Sequence, residues 1–286
     1  MIIYYKIKTK LVKKFMDIYD FHIYKIPNLK DKLFSKKQNI DIFFHTGAVN
    51  KQDIKLINIT NILIVSSKKT KDIVSNNPKI KINDNQIFVI YPVVDIPKIN
   101  KQDKKDFLKS RNLNKKTTIL YFTAKEFKTT GVSSFLNIIK NLKNKNFVAI
   151  ISGDKLQLKP TVSLLQEMGL SKKVILIQED MYNISDIFIL PTSNKLLSYS
   201  VLKAMSYKNV VFLPQTNSAS ELLDSFSIMN SSIDSSIGFR VDMLLESKGE
   251  LKIYQKNNIK IAKQLTLNKQ FKKLKKIIKN NKEVKI

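Results

Sequence analysis

Short apolar, β-rich runs recur along the chain, each followed by a polar or helix-like segment. Asp41–His45, Ile62–Ser66, Ile87–Tyr91, Thr118–Thr123, Phe147–Ser152, Lys173–Ile177, Asp186–Leu190 and Val210–Leu213 read as strands. Strands that are apolar nearly throughout, alternating with helices, indicate a parallel sheet covered on both faces, the doubly wound α/β class. Between them, Val132–Leu142 carries Val132, Phe135, Ile138, Ile139 and Leu142 at the spacing of one buried helical stripe. Helices are also expected over Leu196–Tyr207, over Ala219–Phe226, and from Asn268 onward, where Phe271, Leu274, Ile277 and Ile278 face inward beneath a coat of lysines. The polar, proline-bearing stretch Asp95–Lys116 has no strand pattern and reads as a linker. Two domains follow, residues 1–105 and 106–286.

With 286 residues, 43% of them apolar, the chain can bury two ordinary cores. Runs such as Ile62–Val65 are strand-sized and too short to span a membrane. The opening MIIYYKIKTKLVKK lacks a signal peptide's apolar core and cleavage site, and cysteine is absent, so a cytoplasmic location is expected. The formal net charge is +28, but Arg111 and Arg240 are the only arginines among 51 basic residues. Base and phosphate recognition usually recruits arginine forks. Lysine, asparagine and isoleucine enriched together read as compositional bias more than as charge selected for a nucleic acid, although the field would still attract anionic ligands or acidic lipid.

In a doubly wound sheet, ligands bind beyond the carboxyl ends of the strands, against helix N-termini that offer unpaired NH groups. The segment after Asp186–Leu190 has that form. Pro191 ends the strand, Thr192, Ser193 and Asn194 are cap-type residues, and a helix follows through Leu202 and Met205. Backbone NH groups around Leu197, Ser198 and Tyr199 would there face an anion such as a diphosphate.

These residues carry a resemblance. Asp186-Ile-Phe-Ile-Leu-Pro-Thr192, a helix closing in Ala204-Met-Ser-Tyr-Lys-Asn-Val-Val-Phe212, and Ser218-Ala-Ser-Glu-Leu-Leu-Asp224 resemble the nucleotide-sugar half of the family 4 (group 1) glycosyltransferases of GT-B fold. Thr118-Ile-Leu-Tyr-Phe-Thr-Ala-Lys125 through Gly131-Val132 is similar to the strand and basic loop that open that half. Val148-Ala-Ile-Ile-Ser-Gly153 is similar to its second strand, Ile261-Ala-Lys-Gln-Leu-Thr-Leu267 to its closing helix, and Ile87–Asp95 to the last strand of the preceding domain. The resemblance implies two Rossmann-like domains facing a cleft. The first is expected to be incomplete and to lack its opening strands, because no glycine precedes Gly47 and the roughly 110 residues before the second domain are too few for a full Rossmann-like half.

It also implies transfer of a sugar from a nucleotide-sugar donor to a glycan or lipid-linked acceptor, without a metal and without a cofactor beyond the donor itself. The donor contacts carried over are Lys125, with Lys128 close enough to stand in for a second phosphate-clamping lysine, then Gly153, Thr192, Leu197, Ser198 and Tyr199. Where the family pattern places glutamates, four and twelve residues after the proline, this chain has Lys195 and Lys203. A carboxylate accepts from sugar hydroxyls and an ammonium only donates, so both charge and hydrogen-bond polarity are inverted. Two readings stay open. Lys195 binds diphosphate and Lys203 donates to ribose oxygens, or the ordinary donor site has been lost and the chain is an inactive nucleotide- or glycan-binding relative.

His45, in Phe43-Phe-His-Thr-Gly47 at a strand end, is the candidate acid or base. The sequence has no phosphate-binding loop, dinucleotide turn, zinc helix or nucleophile elbow. The adjacent acids Glu179-Asp180 lack a histidine nearby and read as solvent-facing, so no metal site is expected. A third reading makes Lys6, Lys8, Lys10, Lys13 and Lys14 a contact for anionic membrane, at the inner face, or for nucleic acid; no specific nucleic-acid module is present.

Overall fold

A computed structural model describes residues 1–27 and 38–281. By internal contacts the chain divides into two units, Met1–Val93 with Leu265–Ile286, and Val94–Gln264.

The first unit is built on β1 (Ile2–Tyr5), α1 (Lys10–Met16), β2 (His22–Ile23), β3 (Ile40–Phe44), α2 (Lys51–Ile57), β4 (Thr60–Val65), α3 (Lys68–Ser75) and β5 (Ile87–Val89). Among the described residues its five strands are parallel in the order β2-β1-β3-β4-β5. Successive side chains on a strand point to opposite faces. Ile42, Phe44, Ile62 and Ile64 therefore meet Leu11, Val12 and Phe15 of α1 on one side. Phe43, Leu63 and Val65 meet Leu56, Ile57 and Val74 on the other. Asn50 starts α2 with a capping box, its side chain accepting from the NH groups of Gln52 and Asp53 while Asp53 accepts from the NH of Asn50.

Here the chain departs from expectation. A strand that the sequence reading did not expect is present: Ile2–Tyr5 pairs with β2 on one side and β3 on the other. Four residues running straight into lysines are too few to show a period, and only the sheet around them identifies them as a strand.

The second unit runs through α4 (Lys101–Ser110), β6 (Thr118–Thr123), α5 (Phe127–Thr130), α6 (Val132–Lys140), β7 (Phe147–Ser152), α7 (Lys155–Glu167), β8 (Val174–Ile177), β9 (Ile187–Ile189), α8 (Tyr199–Ser206), β10 (Val210–Pro214), β11 (Ile228–Met229), α9 (Ser236–Glu246) and α10 (Lys248–Ala262). Its six strands are parallel in the order β11-β10-β9-β6-β7-β8. All six residues of β7 are buried, as a strand covered on both faces requires. The chain leaves β6 toward β7 and β8, then returns to β9 and continues outward to β10 and β11. The β6–β9 junction is thus a point where strand order reverses, and a crevice opens there at the carboxyl ends.

Two segments differ from the sequence reading. Asp95–Lys116 is not all linker: Asn100 caps α4, which belongs to the second unit, and the contact division falls between Val93 and Val94 instead of near residue 105. Ala219–Phe226 is not an α-helix but two 3-10 turns, Ser218–Leu222 and Ser225–Ser227. Asn217 accepts from the NH of Ala219, and Asp224 accepts from the NH of Ser227. These local side-chain bonds compete with a continuous helical ladder.

The last helix, α11 (Leu267–Asn280), carries the expected stripe of Phe271, Leu274, Ile277 and Ile278, but this stripe joins the core of the first unit against α1. Residues 282–286 of the lysine-rich terminus lie outside the described residues. Among the described residues, no helix is long and apolar enough to cross a membrane.

Candidate functional site

Two glycines set the packing behind the crevice. Gly131, between α5 and α6, has φ +96°, and a β-carbon on it would lie 2.1 Å from the carbonyl oxygen of Pro191. Only a residue without a side chain lets the loop after β6 close against the loop after β9. A β-carbon on Gly153, at the end of β7, would lie 2.5 Å from the ring of Phe127. Gly153 makes room for the aromatic anchor of α5, whose NH donates to Gln157 Oε1 at 2.8 Å.

The loop from Pro191 to Ser198 has no regular structure, and Asn217 holds it. Asn217 is fully buried. Its Nδ2 lies 2.8 Å from the carbonyl of Asn194, 2.6 Å from that of Leu196 and 2.9 Å from Ser198 Oγ, while its Oδ1 accepts from the NH of Ser198 at 3.4 Å. Ser218 adds two bonds to the carbonyl of Lys195, both at 2.9 Å. A buried side chain thus supplies the partners that a loop without regular structure does not find in its own backbone.

Ser198 then begins α8 with no side-chain cap bond. The first-turn NH groups of a helix have no partner within it and carry the positive end of its dipole. Here they belong to Tyr199 and Ser200. With the NH of Ser198 already engaged by Asn217, the first-turn NH groups of α8 begin one residue further along the chain than the sequence suggested.

Tyr199 and Ser200 border a cavity of about 610 Å³ at the carboxyl ends of β6 and β9. Of the expected donor residues, the structure brings Lys125, Thr192, Ser198, Tyr199 and Lys203 to its wall. Lys128, Gly153, Lys195 and Leu197 are not on it: Thr129 and Thr130 line the cavity beside Lys125, Lys195 is exposed, and Gly153 packs against Phe127.

The same cavity wall holds a partner for the inverted charge at Lys203. Its ammonium donates to Asp180 Oδ2 and lies 4.8 Å from the ring centroid of Tyr182. Asp180 stands on the loop after β8, which is pinned in place. Tyr121 Oη accepts from the NH of Met181 at 3.2 Å, Ser185 Oγ donates to the carbonyl of Met181 at 2.6 Å, and Asn209 Nδ2 donates to that of Tyr182 at 3.0 Å. Tyr182 is buried and stacks on Tyr207 at 5.9 Å, and burial pushes its phenol pKa up, so it stays neutral. Asp180 and Asn217 are the site residues that sequence reasoning passed over. Asp180 was visible only as one of two adjacent acids, and nothing in the local pattern links it to a lysine 23 positions away.

His45 sits in the first unit at the carboxyl end of β3 and is 2% exposed. Its Nε2 lies 3.5 Å from both Lys6 Nζ and Asp53 Oδ2, and Lys6 donates to Asp53 at 2.6 Å and to the carbonyl of Ala48 at 3.2 Å. Nδ1 is buried as well. Burial first, then Lys6, pushes its pKa down, against the opposing pull of Asp53. With both nitrogens enclosed, His45 is part of a buried charge cluster and presents no nitrogen to an outside ligand.

Residues 103–261, more than half of the chain, match the family model described as glycosyl transferases group 1. The chain belongs to the group 1 glycosyltransferases.

Solved glycosyltransferases of GT-B fold share its architecture. The structure of Anabaena Alr3699/HepE in complex with UDP is 12% identical, with a TM-score of 0.73, 84% of this chain and 72% of that one being covered. A glycosyltransferase from Rickettsia africae ESF-5 is 14% identical over 99% of both chains, with a TM-score of 0.73. WaaG, a glycosyltransferase involved in lipopolysaccharide biosynthesis, is 11% identical over 97% of this chain and 99% of its own, with a TM-score of 0.68. At such identities the likeness concerns the fold. No curated protein sequence matches the chain. The family match falls within the second unit, the one that carries the crevice.

Proposed function

We propose that the second unit binds the diphosphate of a nucleotide-sugar, and that the protein transfers the sugar to a hydroxyl of a lipid-linked or cell-surface glycan in the cytoplasm. One observation carries this reading: Lys125 and the opening NH groups of α8 line the same cavity at the point of strand reversal. A lysine and a helix N-terminus together offset the charge that develops on a departing diphosphate. That stabilisation assigns no role to a metal. The relatives of like fold solved with UDP and UDP-glucose support a nucleotide-sugar as the donor.

A second reading, a nucleotide-binding relative without transfer activity, is favoured by the enclosure of His45, which leaves acceptor deprotonation without an assigned group. Calorimetric titration with UDP, GDP, ADP and CDP and their common sugars at moderate salt separates these from simple charge attraction, which would be unselective. Saturable binding of one nucleotide supports the donor site, and release of that nucleotide from its sugar in the presence of glycan acceptors distinguishes transfer from binding alone. Binding that is equal for every diphosphate and vanishes with salt would refute both.

A further inference from the structure

The cavity places cationic groups where a diphosphate needs them, yet a nucleotide-sugar also carries vicinal hydroxyls, on its ribose and on the sugar to be transferred. Hydroxyls that donate need acceptors, and neither a lysine nor a backbone NH can accept. Two carboxylates line the cavity, Glu126 and Asp180. Glu126 directly follows Lys125 in the chain and so shares the anion end. Asp180 stands with Lys203, which lies four residues beyond Tyr199 on α8, on the same helical face and roughly 6 Å along the axis.

We infer that Asp180 accepts hydrogen bonds from a vicinal diol of the donor, and that Lys203 is the positioning residue that aims it. The inference rests on the nucleotide-sugar reading of this cavity.

The geometry supports each half of the assignment. Lys203 occupies one oxygen of the carboxylate, Oδ2. Among the described residues Oδ1 has no partner, and Asp180 is the more exposed member of the pair, at 56% against 33%. A carboxylate offers about four lone-pair sites, so ample accepting capacity remains after the ion pair forms. The anchors at Met181, Tyr182 and Ser185 fix the backbone beside Asp180, leaving the side-chain direction to Lys203. Lys203 is itself steadied over the ring of Tyr182. The ammonium at position 203 therefore does not touch the diol in the way a carboxylate there would. It delivers a carboxylate from the neighbouring loop.

The test uses the full chain and titrates UDP, GDP, ADP and CDP, each beside its 2′-deoxy form, then the UDP- and GDP-sugars that bind. Wild type, Asp180→Asn, Lys203→Met and the double variant are compared. If Asp180 reads the ribose, the deoxy form of the preferred nucleotide binds about tenfold more weakly to wild type, as expected for a charge-assisted bond at a half-open site. Asp180→Asn then erases most of that gap, Lys203→Met erases part of it, and the double variant loses no more than Asp180→Asn alone. If Asp180 reads the transferred sugar, ribose and deoxyribose forms bind alike, and Asp180→Asn lowers the preference for the nucleotide-sugar over the bare nucleotide. Asp180→Asn leaving both preferences intact overturns the inference while the donor site stands. No selective nucleotide binding by wild type overturns the donor site and the inference together. Unchanged far-UV circular dichroism and urea midpoint in Asp180→Asn, expected for an exposed side chain, exclude misfolding as the cause of a lost preference.

Discussion

Replacing Gly131 with alanine tests the account of how the donor loops are held. The residue has left-handed backbone, φ +96° and ψ 34°, which costs a side-chain-bearing residue about 1–3 kcal/mol. The added β-carbon would also stand 2.1 Å from Pro191 O and 2.9 Å from Pro191 C, where ordinary contact begins at 3.4 Å. Relief requires one backbone segment to move by roughly 1 Å, and overpacking of that kind costs about 1–3 kcal/mol. Loss of unfolded-state freedom returns about 0.4–1 kcal/mol. The net expectation is a destabilisation of about 1–6 kcal/mol.

Gly169 provides the control. It too has positive φ, +69°, but a β-carbon there meets nothing within 4 Å. Gly169→Ala therefore carries the backbone cost and no collision, and should lose about 0–3 kcal/mol by the same reckoning. Both glycines lie in the second unit, so urea unfolding followed by far-UV circular dichroism compares them on one transition. Because the chain has two units, the shift is read from the transition that both variants move and not from a whole-chain two-state fit. Nucleotide titration adds a second readout, since any displacement of Pro191 carries Thr192 with it. If Gly131→Ala is no less stable than Gly169→Ala and binds nucleotide as well, the close approach to Pro191 does not hold these loops together.

Four further outcomes follow from the same geometry. Lys6→Met strips the lysine from Asp53, whose side chain is 2% exposed, and should cost about 1–3 kcal/mol, less than a fully orphaned buried charge because Asp53 keeps the NH of Asn50 and Lys6 is itself 23% exposed; Asp53→Asn in that background should restore part of the loss in a thermal melt. His45 has a folded pKa below its ordinary 6.5, so the unfolded chain takes up the proton first as pH falls. Its contribution is full above pH 6.5 and declines as pH falls from there toward the folded pKa; a pH series of urea midpoints should drop less in His45→Gln than in wild type. Asn217→Ala leaves the carbonyls of Asn194 and Leu196 without their shared donor, at about 0.5–1.5 kcal/mol for each hydrogen bond lost, and should weaken nucleotide binding with the loop it frees, whereas an unchanged affinity would show the loop to be self-supporting. Lys125→Ala should lower diphosphate affinity about tenfold and flatten its salt dependence, both read by calorimetry.

The sequence by itself determined the repeating units of the second half. Thr118–Thr123 and Phe147–Ser152 form strands over the residues their composition marks, because strands covered on both faces are apolar throughout and interrupted by polar turns. The order of Pro191, the polar loop and the helix of Leu202 and Met205 was legible for the same reason: strand ends and helix starts are encoded by neighbouring residues. Tertiary structure decided what neighbours cannot encode. Ile2–Tyr5 is a strand because two others flank it. The apolar stripe of α11 fixes which face is buried but not which core receives it, and that core proved to be the first unit's. Gly131 and Gly153 are required by atoms of Pro191 and Phe127, Asn217 by carbonyls some twenty residues earlier, and the lysine at 203 by Asp180 on another loop. Local propensity acts over a few residues, whereas a charge or a β-carbon responds to whatever lies within a few ångströms, and the fold alone determines what that is.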